Sequence, residues 1–180
     1  MTNEIIMAGF GGQGVLLMGQ LLAYAGMYED KNVSWLPSYG PEMRGGTANC
    51  CVIVSDEPVG SPVVTEADAV IVMNKPSLDK YESALKPGGV LFINSSLIDK
   101  KATRDDIDVH YIPVNEIAAE VGNARTANIV MLGAYIASSG AVSKKSVIEA
   151  VEYVLGKGKA HLIPVNEKAF DEGAKSVQNK

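Results

Sequence analysis

The sequence predicts an α/β fold on a mixed, mostly parallel sheet, and three stretches carry that prediction. Residues 4–8 are a short apolar run that ends in glycine and leads at once into a second apolar stretch, 14–27. Residues 69–73, Ala-Val-Ile-Val-Met, pass through a proline-initiated helix and Pro87-Gly88-Gly89 into Val90-Leu91-Phe92-Ile93-Asn94, the order strand, helix, strand. The link between the second and third strands holds glycines and prolines but no helix. A parallel crossover needs about a dozen residues or more, usually with a helix, so the third strand is expected antiparallel.

The elements follow in order. Residues 4–8 read as a buried parallel strand, and 14–27 as a helix apolar all round, covered on more than one side. Residues 32–36 and 48–54 are the second and third strands. Asn74-Lys75-Pro76 opens a helix expected to run to Leu85, with Pro87-Gly88-Gly89 ending it. Residues 109–112 form another strand. The pentapeptide Ile-Pro-Val-Asn-Glu occurs at 112–116 and again at 163–167, and its asparagine reads as a helix N-cap in both copies. Residues 126–139 are an uncharged, buried helix. Ser143 caps an amphipathic helix with Val147, Ile148, Val151 and Val154 on one face, and 174–180 read as a fraying tail.

A chain of 180 residues suits one domain, 1–180. Its net charge of −5 and scattered charges give no nucleic-acid footprint. No charged side chain occurs from Ile5 to Tyr28, but the glycines would break a membrane helix there and Gln13 and Gln20 suit lipid poorly. No targeting segment is read, and a cytoplasmic setting fits. Cys50 and Cys51 are adjacent, so on a strand they point to opposite faces and do not pair. Without a Cys-x-x-Cys spacing, the chain cannot ligate an iron–sulfur cluster alone.

Two constellations carry chemistry. The first, Gly9-Phe10-Gly11-Gly12-Gln13-Gly14, lies between a strand and a helix, where backbone N–H groups can meet an anion. A dinucleotide site also needs an acid about 20 residues on, at the end of the second strand. That strand ends Ser34-Trp35-Leu36-Pro37-Ser38, which disfavours an NAD-dependent reductase. A phosphate cradle for another ligand and a structural turn both stay open. The second is the loop Ser38-Tyr39-Gly40-Pro41-Glu42-Met43-Arg44-Gly45-Gly46-Thr47, expected beside the first. It offers Tyr39, Arg44 and Thr47 on a glycine-rich backbone, and arginine suits phosphate or carboxylate. Its alternative is a surface loop with a solvated arginine. Asn123, Arg125 and Asn128 open the buried helix, with Asn123 read as a cap. His110 and His161 are isolated, and no nucleophile motif is present.

Gly9-Phe10-Gly11-Gly12-Gln13-Gly14-Val15, the loop Ser38–Gly46, Asn94-Ser95-Ser96, and Asn128 ahead of Met131-Leu132-Gly133-Ala134 together resemble the gamma subunit of 2-oxoacid:ferredoxin oxidoreductases. The likeness is strongest to the 2-oxoglutarate and 2-oxoisovalerate types. It implies a three-layer, Rossmann-like α/β domain in an enzyme that oxidatively decarboxylates a 2-oxoacid with coenzyme A, reducing ferredoxin. Thiamine diphosphate and iron–sulfur clusters are then held by alpha, beta and delta subunits and none by this chain, which has no complete active site of its own. On this reading Gly9, Gly11, Gly12, Gln13, Gly14, Tyr39, Arg44, Gly45, Gly46, Thr47 and Asn128 are the coenzyme A-binding candidates. A free-standing coenzyme A or nucleotide-binding module is the alternative. The two long uncharged helices are either internal core or a surface through which the isolated chain forms a homodimer.

Overall fold

The computed structural model describes residues 1–38 and 46–178. Six strands form one sheet in the order β2-β3-β1-β4-β5-β6. They are β1 (Thr2–Phe10), β2 (Asn32–Ser38), β3 (Thr47–Ser55), β4 (Ala67–Val72), β5 (Leu85–Asn94) and β6 (Asp108–Ile112). β1–β4, β4–β5 and β5–β6 pair parallel. β3 pairs antiparallel with both β1 and β2, so the expectation of a mixed sheet holds. Pro37 is tolerated in β2 because that strand lies at the sheet edge, where a missing N–H costs no ladder bond.

The helices are α1 (Val15–Tyr28), α2 (Lys75–Tyr81), α3 (Val114–Val121), α4 (Ala127–Ser139), α5 (Lys144–Leu155) and α6 (Ile163–Gln178). Side chains alternate across the sheet. Ile5 and Met7 join one apolar layer with residues of α1, α3, α4, α5 and α6. Ile6 joins the thinner layer on the other face, with Leu78 of α2 and Ile98. Helices and packed loops on both faces of the sheet make three layers, as the resemblance implied. Cys50 and Cys51 fall in opposite layers and both are free thiols.

Three local readings need correction. The helix after Asn74 stops at Tyr81 and passes through a 3-10 turn. Pro87-Gly88-Gly89 does not end it. These residues lie within β5, where the register against β4 jumps from Ala67↔Leu85 to Ala69↔Val90, and Gly88 takes a φ of 77°. Neither pentapeptide asparagine is an N-cap. α3 is preceded by Pro113 and α6 includes Pro164, so Asn115 and Asn166 fall inside the first turns. The proline, with φ preset for a helix, is the start signal. The expected tail is also helical, since α6 runs to Gln178. Among the described residues, no helix is long and apolar enough to cross a membrane.

Candidate functional site

Strand β1 ends at Phe10 and α1 begins at Val15, so the glycine turn spans only four residues. Its shape is fixed from inside. The Gln13 side chain accepts from the Phe10 amide at 2.6 Å and donates to the Met73 carbonyl at 3.0 Å. The Gln13 amide donates back to the Phe10 carbonyl at 3.2 Å. Gly9 admits no larger residue, because a Cβ there would lie 2.6 Å from Gln13 Oε1 and 2.8 Å from Met73 Cβ.

Gly14, at φ 73°, is the residue before α1 and has no side chain with which to cap it. α1 also lacks an acid in its first turn, so its positive dipole end is uncompensated. A second helix start lies beside it. α4 likewise has no side-chain cap bond and no acid in its first turn. Asn128, in that first turn, donates from Nδ2 to the Gly14 carbonyl at 3.2 Å. Two helix N-termini therefore meet at Gly14, that of α1 without cap or acid and that of α4 with its Ile129 amide donating to Asn128 Oδ1 at 2.9 Å.

Of the second glycine loop, the described end, Gly46 and Thr47, lies beside the first. In a dinucleotide fold β2 would neighbour β1; here β3 lies between them. The end of β2 is thus two strand spacings, roughly 10 Å, from the glycine turn. It is the start of β3 that flanks the turn. Thr47 sits opposite Phe10, and the Gly46 carbonyl accepts from the Gly11 amide at 3.0 Å. Thr47 is exposed at this edge. Tyr39, Arg44 and Gly45 lie outside the described residues.

Of the predicted set, the structure brings together Gly9, Gly11, Gly12, Gln13, Gly14, Gly46, Thr47 and Asn128. The Gly11 and Gln13 amides already donate within the protein, whereas those of Gly12 and Gly14 have no protein acceptor among the described residues. Beside the turn opens a cleft of about 280 Å³ with largely apolar walls, formed by Phe10, Leu16, Leu17 and Ala48.

Sequence reasoning missed the polar network behind this edge. The Met73 carbonyl that receives Gln13 also receives Asn94 Nδ2 at 3.3 Å. Asn94, fully buried, donates to Asn115 Oδ1 at 3.0 Å and accepts from the Ser96 amide at 3.1 Å. The Ser96 hydroxyl donates to the Glu116 carboxylate, which with a bond to a backbone amide holds that carboxyl below its ordinary value. The available signal was Asn94 itself, a polar residue ending an apolar strand. Asn123 caps as expected, accepting from the Arg125 amide at 3.0 Å.

Comparison with known proteins decides the lineage. Residues 4–176 match the family model described as pyruvate ferredoxin/flavodoxin oxidoreductase. The chain belongs to this family. It is 39% identical over 172 residues to ketoisovalerate oxidoreductase subunit VorA of Methanothermobacter marburgensis, covering 95% of this chain and 36% of that one. The chain thus spans about a third of the length of its ketoisovalerate relatives. It is 38% identical to 2-oxoglutarate synthase subunit KorC of Methanocaldococcus jannaschii, covering 96% of this chain and 92% of that one. Among structures, the gamma subunit of a keto/oxoacid ferredoxin oxidoreductase from Geobacter sulfurreducens aligns over 99% of both chains, with a TM-score of 0.84 and 34% identity. A 2-oxoglutarate:ferredoxin oxidoreductase from Magnetococcus marinus, described with 2-oxoglutarate, coenzyme A and succinyl-CoA bound, aligns over 99% of this chain and 31% of its own, with a TM-score of 0.91. At 23% identity that likeness concerns the fold alone. Within the pyruvate ferredoxin/flavodoxin oxidoreductase family, the chain is of the gamma type.

Proposed function

We propose that this chain is the gamma subunit of a 2-oxoacid:ferredoxin oxidoreductase and that its glycine edge helps bind coenzyme A. The observation that carries the binding role is the uncapped N-terminus of α1, with no acid in its first turn and the start of α4 beside it at Gly14. Phosphate is the ligand such an edge suits, through backbone amides and aligned dipoles. Coenzyme A brings a pyrophosphate and a further phosphate, and the methyl and methylene groups of its pantetheine arm suit the apolar walls of the cleft formed by Phe10, Leu16, Leu17 and Ala48. It needs no acid at the end of β2. Arg44, in the adjoining loop, is assigned to a phosphate. Thiamine diphosphate and the iron–sulfur clusters belong to the alpha, beta and delta subunits, and electrons leave to ferredoxin through the complex. We place 2-oxoglutarate first as substrate, because the 2-oxoglutarate synthase subunit is matched over 92% of its length, and 2-oxoisovalerate second, because this chain spans only about a third of the relatives named for it.

The test is the Arg44→Ala variant in the assembled enzyme. Loss of a charged hydrogen bond of about 1.5–3 kcal/mol raises the apparent KM for coenzyme A by roughly ten- to a hundredfold. An unchanged KM in a fully assembled variant overturns the assignment. A second reading makes the same loops a docking element for the thiamine-binding subunits. It is favoured by the Gly11 and Gln13 amides being already engaged. It predicts weak assembly of Arg44→Ala with normal coenzyme A affinity. Assay of the purified complex with several 2-oxoacids names the substrate.

A further inference from the structure

A four-residue turn that holds three glycines has many backbone conformations open to it. Between Gly11 and Gly14 the one side chain able to brace it is that of Gln13. Its Oε1 draws the Phe10 amide inward at 2.6 Å, and its Nε2 donates to the Met73 carbonyl at 3.0 Å. Gly9 leaves the space this brace occupies, since a Cβ there would meet both Gln13 Oε1 and Met73 Cβ.

The anchor of the brace is a carbonyl outside the sheet ladder. Met73 follows β4, and its amide donates to the Ala8 carbonyl at 2.9 Å. Among the described residues, no backbone amide donates to its own carbonyl. Met73 is buried, and a buried carbonyl without a donor is costly. Two side chains supply what the ladder does not, one for each lone pair. Gln13 comes from the β1 side and Asn94 Nδ2, at 3.3 Å, from the end of β5. Asn94 is the firmer of the two. It is fully buried, its amide also donates to Asn115 Oδ1 at 3.0 Å, and its Oδ1 accepts from the Ser96 amide at 3.1 Å. Gln13 is only half-buried. Asn94 therefore fixes the Met73 carbonyl, and the carbonyl fixes Gln13.

We propose that Asn94 is a positioning residue for ligand binding at the glycine turn. None of its hydrogen bonds goes to the turn itself. It acts through the Met73 carbonyl and Gln13. Together they hold the turn in the conformation that engages the Phe10, Gly11 and Gln13 amides within the protein and leaves those of Gly12 and Gly14 for an anion. A turn already held in shape gives up less conformational freedom when the ligand binds. The proposal rests on the coenzyme A reading above.

The test is a double-mutant cycle in the assembled oxidoreductase, read as kcat and the apparent KM for coenzyme A at saturating 2-oxoacid. Gln13→Ala and Asn94→Ala each raise that KM roughly three- to tenfold and leave kcat within about twofold. Combined, they raise it no more than Gln13→Ala alone, because Asn94 then has nothing to act through. Asn115→Ala carries the same test should Asn94→Ala fail to fold. Asn115 is exposed, and its loss frees one of the three bonds that hold Asn94. Its smaller rise in KM vanishes beside Gln13→Ala. Effects that multiply in the double variants overturn the positioning role, and so does a wild-type KM in both asparagine variants when Gln13→Ala and Arg44→Ala raise it. If Gln13→Ala and Arg44→Ala also leave the KM unchanged, the coenzyme A reading itself fails and this proposal falls with it.

Discussion

Gly14 carries two demands at once, and they separate experimentally. Its φ of 73° is strained for any residue with a Cβ, and that Cβ would lie 2.4 Å from Asn128 Nδ2. Gly12, at φ 95°, has the first demand only, since a Cβ there meets open space. The left-handed conformation costs about 1–2 kcal/mol and overpacking a further 1–3. Gly12→Ala is therefore expected to lose about 1–2 kcal/mol in urea unfolding, and Gly14→Ala clearly more. Adding Asn128→Ala to Gly14→Ala should recover the steric part; a double variant no more stable than Gly14→Ala would show that backbone strain alone governs the site. Cys50 gives a second test at this scale. Desolvation in the apolar layer pushes its thiol up to about 12, against the lowering effect of Trp35. Cys51, on the opposite face, is only half-buried. A thiol reagent near neutral pH should modify Cys51 first and reach Cys50 only on unfolding. Equal native rates would refute the burial argument.

At the scale of elements, the described glycines with least room lie at the crossing of α4 and α6. A Cβ at Gly173 would lie 1.9 Å from the Val130 carbonyl oxygen, and one at Gly133 2.2 Å from that of Phe170. Both obstacles are backbone and cannot turn aside. Either glycine changed to alanine must push the helices apart, with an expected loss of about 3 kcal/mol or more, read as a fall in melting temperature. A loss under about 1 kcal/mol at both positions would mean that the helices yield easily. The sequence made α4 visible through its long uncharged run, but not this crossing, because a glycine inside a helix shows nothing of what approaches it. Similar reasons explain the other misreadings. Pro87-Gly88-Gly89 punctuates the chain, yet whether it ends a helix or bulges a strand depends on β4 lying alongside. The candidate site was legible as a strand–glycine–helix turn, since each part is local. That Gln13 and Asn94 converge on Met73 was not legible, because the three meet only when β1, β4 and β5 are adjacent.

Over the whole molecule, the mixed topology decides what the glycine edge can accept. By inserting β3 between β1 and β2, the chain moves the end of β2 away from the glycine turn and fills the vacated place with Gly46 and Thr47. The same arrangement leaves α1 to be tied down from outside, by α5. Glu29, at the end of α1, accepts from the Ser143 amide at 2.6 Å and the Ser146 hydroxyl at 2.7 Å, so one carboxylate joins the end of α1 to the start of α5. Desolvation raises its pKa, but those bonds and nearby Lys31 outweigh it and the net shift is downward. A depressed carboxyl contributes stability above its unfolded value of 4.5, and that contribution is lost as pH falls through the lower folded value. Lys144 acts with the opposite sign. Asp171 first, then Glu167, raise it above 10.5, so its contribution is present below that value and is lost as pH rises through the folded one. The melting temperature should therefore form a plateau from above about pH 4.5 to about pH 10 and fall on both sides. Glu29→Gln should lower the plateau and flatten the acid limb, converging with the wild type as the pH falls through the depressed folded value of Glu29. If the two curves stay separated by the same interval along the whole acid limb, the clamp between α1 and α5 does not act through the charge of Glu29.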